Sequence, residues 1–188
     1  KAEQLADLFN YRGKTECWIE RLAERVIETA YGQFNLIAFH DAATCETHLA
    51  MVKGDITADK SVLVRVHEPL SVFDLLDASS KSHSWSLPHA MQLINEEGAG
   101  IIVMLRRDEA SVDVIHAIKS ADKPVSNKHT LKDYGIGAQI LRDLGVVRMR
   151  LMAEPRKMPS MAGFGLEVAE FVEFKADSMY GSLLAALY

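Results

Sequence analysis

The hydrophobic period changes once along the chain, near residue 85, and this change constrains the fold more than any other feature. Before it, apolar residues alternate at period two. Ile27 and Thr29 precede Tyr31-Gly32, and Phe34, Leu36 and Ala38 follow, which predicts a hairpin turning at Tyr31-Gly32. HLAMVKGDI (48–56) and SVLVRVHE (61–68) read as a second strand pair with Asp59-Lys60 in the turn. After the change, helix-length and strand-length segments alternate. SLPHAMQLINEEG (86–98) predicts a helix with Ser86 as cap, Pro88 in the first turn and Gly98 at the end. AGIIVML (99–105) predicts a buried strand, and 111–120 a helix. YGIGAQILRDL (134–144) predicts a helix capped by Asp133 and closed by Gly145. VRMRLMA (147–153) and LEVAEFVEF (166–174) predict strands. Hairpins followed by alternating helices and strands predict an α/β domain: a mixed sheet with N-terminal antiparallel hairpins and helices packed on it. Ligands in such sheets sit at loops leaving the C-terminal strand ends, here roughly 106–111 and 153–163.

Composition narrows the classes. The 188 residues suit one domain with a flanking arm. A net charge of −5 removes the electrostatic footprint of a nucleic-acid binder. No apolar run approaches the roughly 18 residues needed to span a bilayer. Two cysteines, Cys17 and Cys45, with no CxxC or Cys/His cluster, read as reduced thiols of a cytoplasmic protein. The charged N-terminus is no signal peptide, and the absence of an initiator Met fits a domain within a longer protein. No internal repeat or low-complexity tract is present. The expected organisation is a linker or arm at 1–19, a domain at 20–174 and an apolar tail at 175–188 that forms a docking helix.

Several stretches, in order, resemble GTP cyclohydrolase II of riboflavin biosynthesis. They are KDYGIGAQILRDLGVVRMRLM (132–152), EPRK (154–157), GFGLEV (163–168), LVRVHE (63–68), NEEGAGIIVMLRR (95–107) and ETAYGQFNLIAF (28–39), the last like the family's opening hairpin. The resemblance covers roughly residues 20–174. Residues 5–25, LADLFNYRGKTECWIERLAER, resemble the junction that follows a 3,4-dihydroxy-2-butanone 4-phosphate synthase domain in fused riboflavin proteins.

The resemblance implies a zinc-assisted hydrolysis, with three cysteines holding the ion and water in the open fourth position. Those cysteines follow the RVH motif at C-x10-C-x-C spacing, and here the positions hold Leu70, Lys81 and His83. Leucine has no donor atom and a lysine ammonium repels a cation. A substitute site from His83, His67 and His89 stands against surface or capping roles for these histidines. The family's phosphate cradle, R-Q-E-G-R, becomes Arg106, Arg107, Asp108, Glu109 and Ala110. The backbone-approach glycine and the second arginine are gone, and two acids face the ligand. Arg106 and Arg107 either hold a smaller anion or line a solvated loop. The purine-contacting tyrosine falls at Ala121. The family's aspartate and arginine acid–base pair falls at Thr130 and Lys132; threonine is no carboxylate base, and lysine lacks the planar fork. T-N-N-P-[KR]-K becomes Ala153, Glu154, Pro155, Arg156 and Lys157 with one residue deleted, and Lys157 keeps the place of a nucleotide-contacting lysine. Arg65 and His67 survive from RVH, either as ligand contacts or as parts of an ordered strand end.

Loss of the ligands, base and phosphate loop together predicts no GTP cyclohydrolase II activity, no cofactor and no bound zinc, with Thr130, Lys132 and Lys157 as vestigial catalytic positions. The expected role is a homodimerising domain that stabilises or tunes a synthase fused upstream. One alternative is a sensor of a nucleotide or phosphorylated metabolite that uses Arg65, His67, Arg106, Arg107, Lys132 and Lys157. Others are an active cyclohydrolase with a rebuilt metal site, or altered chemistry at a Cys45–His48 pair. No nucleic-acid or membrane partner is expected.

Overall fold

A computed structural model describes residues 19–68, 83–106, 109, 111–119, 131–155 and 161–174. The strands are β1 (Ile19–Thr29), β2 (Gly32–Asp41), β3 (Glu46–Lys53), β4 (Ser61–His67), β5 (Gly100–Met104), β6 (Arg148–Met152) and β7 (Glu167–Val172). The helices are α1 (Leu87–Glu97), α2 (Ser111–Lys119) and α3 (Leu131–Asp143), with a 3-10 turn at Met161–Phe164. The strands form one mixed sheet in the order β1-β2-β3-β5-β4-β6-β7. β1, β2, β3 and β5 run antiparallel to their neighbours, and β5, β4, β6 and β7 run parallel.

Successive side chains on a strand point to opposite faces, and the two cores follow from that period. Ile37, Phe39, Ala50, Val64, Val103 and Leu151 share one face with Ile136 and Ile140 of α3 and with Phe164. Phe34, Met51, Leu63, Ile102 and Met152 share the other with Ala90 and Ile94 of α1 and with Trp85. Each face of the sheet is therefore covered by its own helix, which explains why β5 is buried throughout.

The caps of α1 behave as its sequence dictates. The Ser86 side chain accepts from the His89 backbone N–H, Pro88 lies in the first turn, and Gly98 takes the left-handed conformation at the end. Two residues on, Gly100 lets α1 pack tightly on β4: a Cβ there would lie 2.8 Å from the Ile94 side chain and 2.9 Å from the Leu63 carbonyl oxygen. α3 starts at Leu131, so Asp133 lies inside the helix rather than capping it. Its other end is as expected. Gly145 sits at φ 82°, and the Gly145 and Val146 N–H groups donate to the carbonyls of Arg142 and Leu141, a Schellman closure.

Two expectations need correction. Residues 48–56 and 61–68 do not pair as a hairpin; β5 lies between them, antiparallel to β3 and parallel to β4. The physical reason is burial. Val62 through Arg65 are buried in succession, the mark of a central strand covered on both faces, and α1 supplies the crossover that a parallel neighbour requires. The first strand also begins at Ile19, far earlier than the alternation around Ile27 and Thr29 indicates. β1 is an edge strand, largely exposed on both faces, so it carries little apolar alternation to read. Charged residues blunt that edge, as edge strands generally require. Arg21 Nη2 reaches Asp143 at the end of α3 at 2.7 Å, and its guanidinium lies 5.7 Å from the Phe39 ring centre. The tail at 175–188 and the arm before Ile19 lie outside the described residues. Among the described residues, no helix is long and apolar enough to cross a membrane.

Candidate functional site

The C-terminal ends of β4, β5 and β6 lie side by side, because His67 is in register with Met104 and Val64 with Leu151. The ladder runs one residue past the strands, where the Leu105 N–H donates to the His67 carbonyl at 2.9 Å. This is where an open sheet presents its loops to a ligand.

Arg65 projects to the α1 face, as its spacing from Leu63 dictates, and is buried. Its guanidinium donates to two backbone carbonyls, Met152 at 2.9 Å through Nη1 and Trp85 at 3.2 Å through Nη2. It therefore ties the end of β6 to the segment entering α1. From the sequence, such a structural role for Arg65 was weighed against a ligand contact.

His67 is fully buried, and its ring lies 4.5 Å from that of His83, tilted by 48°. Burial first, then the Arg65 guanidinium and His83, push its imidazole down to about 3. Neither ring nitrogen has a hydrogen-bond partner among the described residues. A neutral imidazole is what such a site tolerates. The fold thus brings two of the three sequence-predicted histidines together. His89 is elsewhere: its Nδ1 is 2.9 Å from the Ser86 hydroxyl, and its ring stacks on Phe174 at 4.7 Å.

Trp85 fills this face. It is buried, donates from Nε1 to the Val172 carbonyl at 2.8 Å, and meets Phe174 edge to face at 5.2 Å. Trp85 therefore fastens the entry of α1 to the end of β7. Glu68, immediately after β4, is also buried and was not singled out from the sequence.

The other predicted positions are dispersed. Arg106 is exposed just beyond β5, and Glu109 is partly buried. Lys132 lies in the first turn of α3. Leu70, Lys81, Arg107, Thr130 and Lys157 lie outside the described residues. Cys45 is exposed in the β2–β3 turn, while the nearby His48 is buried.

The depressed His67 imidazole has a stability consequence. Its proton is taken up by the unfolded chain first, at about pH 6.5, and by the folded chain only near 3. Its contribution is therefore complete above about pH 6.5 and declines as pH falls from there toward 3, by up to about 1.4 kcal/mol per pH unit. Urea unfolding at pH 7 and pH 5 is expected to show a smaller fall for His67→Gln than for the natural protein. Equal falls would show that His67 is not the group responsible.

A model of the GTP cyclohydrolase II family matches residues 20–173. A 3,4-dihydroxy-2-butanone 4-phosphate synthase of Neisseria meningitidis serogroup B is 39% identical over 173 residues, covering 92% of this chain and 47% of that protein. The riboflavin biosynthesis protein RibBA of Chlorobium phaeovibrioides is 34% identical over 186 residues, covering 92% and 45%. Among solved structures, RibBX of A. baumannii, a two-domain 3,4-dihydroxy-2-butanone 4-phosphate synthase, aligns with a TM-score of 0.65 and 31% identity over 90% of this chain and 45% of that one. The chain spans about half the length of the curated relatives it matches.

Proposed function

This chain belongs to the GTP cyclohydrolase II family, and we propose that it is a member whose ring-opening site has decayed and which serves riboflavin biosynthesis as a non-catalytic domain. In this reading it supports the dimerisation or regulation of a 3,4-dihydroxy-2-butanone 4-phosphate synthase fused upstream in the cytoplasm. Residues 1–19 are the linker from that synthase, 20–174 the cyclohydrolase-like domain and 175–188 a tail.

The observation that carries the proposal is the donor set at the family's zinc position. Leu70 offers no lone pair, Lys81 offers a positive charge, and His83 alone offers a ligand atom. The described surroundings do not compensate. His83 lies against a buried His67 that already feels the Arg65 charge, and His89 is turned to Ser86 and Phe174. A cation needs neutral or anionic donors held around it, so these residues do not fit a three-ligand zinc. The fusion is supported by relatives about twice the length of this chain that bear the synthase name.

The test is to compare the full-length protein with a version ending after the synthase domain, measuring mass in solution and the rate of 3,4-dihydroxy-2-butanone 4-phosphate formation. Truncation is expected to weaken dimers or change the rate. Identical mass and kinetics would refute the supporting role.

A sensor role is the second reading, favoured by the exposed Arg106 at the ligand-facing end of the parallel strands. Arg107, Lys132 and Lys157 are its further candidate contacts. Calorimetric titration with GTP, GMP and FMN would then give saturable heats that Arg106→Ala weakens. Flat titrations would leave the structural role alone.

A further inference from the structure

We propose a divalent-cation site at the β2–β3 hairpin, formed by Asp41, Glu46 and His48 on the face of the sheet opposite Arg65, His67 and His83. Asp41 and Glu46 are direct partners across the antiparallel pair, and His48 faces Phe39 one step in. That register puts all three on one face, the side carrying Ile37, Phe39 and Ala50. One ligand atom from each lies within 4.8 Å of the others. Donors bound to one ion at about 2.1 Å sit about 3.4 Å apart in a tetrahedron, so small side-chain rotations close the set.

The hairpin prepares this geometry. Asp41 is fully buried, and its carboxylate is aimed by two short hydrogen bonds: Oδ1 accepts from the Ala43 N–H at 2.8 Å and Oδ2 from the Thr44 hydroxyl at 2.6 Å. Each oxygen keeps a further lone pair for a metal, and such outer contacts are what orient a ligating carboxylate. The turn is locked by the Cys45 N–H donating to the Asp41 carbonyl at 2.8 Å, with Cys45 at φ 60°. His48 is buried, whereas Glu46 is only partly so and stands at the solvent side. An anionic carboxylate beside an imidazole at a buried sheet end is costly unless neutralised, and a dication between two carboxylates restores neutrality. One nitrogen with two carboxylate oxygens suits a first-row divalent ion such as Zn²⁺ or Mn²⁺ better than Ca²⁺. The ion would pin the two strands at their turn, with an open position on the Glu46 side. The inference is independent of the decay of the family's site, which uses other positions.

The test uses the whole protein freed of metal by chelation and titrated with Zn²⁺ alone, followed by calorimetry and thermal unfolding. Saturable binding is expected, with a midpoint that rises as Zn²⁺ is added. Glu46→Gln, a near-isosteric change at a partly exposed position, is expected to weaken binding at least tenfold and to lose most of the zinc-dependent rise measured from its own metal-free midpoint. His83→Gln is expected to leave zinc affinity as it was. Zinc binding insensitive to Glu46→Gln but lost in His83→Gln would place the ion at the histidine pair and overturn the proposal. So would the absence of any zinc-dependent shift.

Discussion

Replacing Trp85 by alanine is expected to cost about 3–5 kcal/mol of unfolding free energy, among the larger effects available to a single substitution. The side chain is 4% exposed and packs among Phe34, Met51, Ile94, Ile102 and Met152. Removing it opens a cavity beneath α1 and breaks the bond from Nε1 to the Val172 carbonyl. It also removes the edge-to-face contact with Phe174. For a chain of this length the loss corresponds to a fall in Tm on the order of 10 °C. Trp85→Phe is expected to recover most of the packing but not the hydrogen bond, leaving a deficit of about 1 kcal/mol. Urea unfolding of the three proteins checks the ordering. A loss below about 1 kcal/mol for the alanine variant would show that Trp85 is not a structural anchor.

The second large effect is expected at Arg65. Arg65→Met keeps an apolar stem but removes both donors, leaving the Met152 and Trp85 carbonyls without the guanidinium. Bonds from a charged donor contribute about 1.5–3 kcal/mol each, and relief from burying the charge offsets part of that. A net destabilisation of about 2–4 kcal/mol is expected. Arg65→Lys is expected to be nearly as damaging, since one ammonium cannot span two carbonyls held by a planar fork. Arg65→Met, but not Arg65→Lys, also removes a charge that depresses His67, so the imidazole should titrate higher in the folded methionine variant. Equilibrium unfolding and histidine NMR titration read the two consequences separately. Unchanged stability would return Arg65 to the set of ligand contacts.

The parts of the fold that were legible in the sequence are those whose determinants are local. Ser86, Pro88 and Gly98 punctuate α1 within a few residues, and Gly145 closes α3 in the same way. The placement of β5 between β3 and β4 was not legible. Period-two alternation and a turn at Asp59-Lys60 look the same whether the two strands pair or are parted by a third. Only the consecutive burial of Val62 to Arg65 points to a central strand. Asp133 has a capping chemistry, yet α3 starts earlier at Leu131, so cap propensity alone misplaced the boundary.

The same distinction holds at the site. The identities Leu70, Lys81 and His83, on which the proposed decay rests, were readable without coordinates. The fate of Arg65 was not, because its partners, Met152 and Trp85, lie 87 and 20 residues away and are backbone atoms. The hairpin group shows how spacing misleads. Cys45 and His48 are close in sequence, but Cys45 belongs to the turn and is exposed. Register across the turn instead unites His48 with Asp41 and Glu46. A tight turn flanked by Asp and Glu, with His two residues farther along the second strand, was the available signal.

The most direct measurement is formate release from GTP by the purified protein, with and without added Zn²⁺. A decayed ring-opening site predicts no formate above the buffer blank under either condition, even where zinc binds and stabilises the β2–β3 hairpin. Zinc-dependent formate release that chelation stops and His83→Gln abolishes would contradict it, and would mean that a metal site has been rebuilt around the histidine pair.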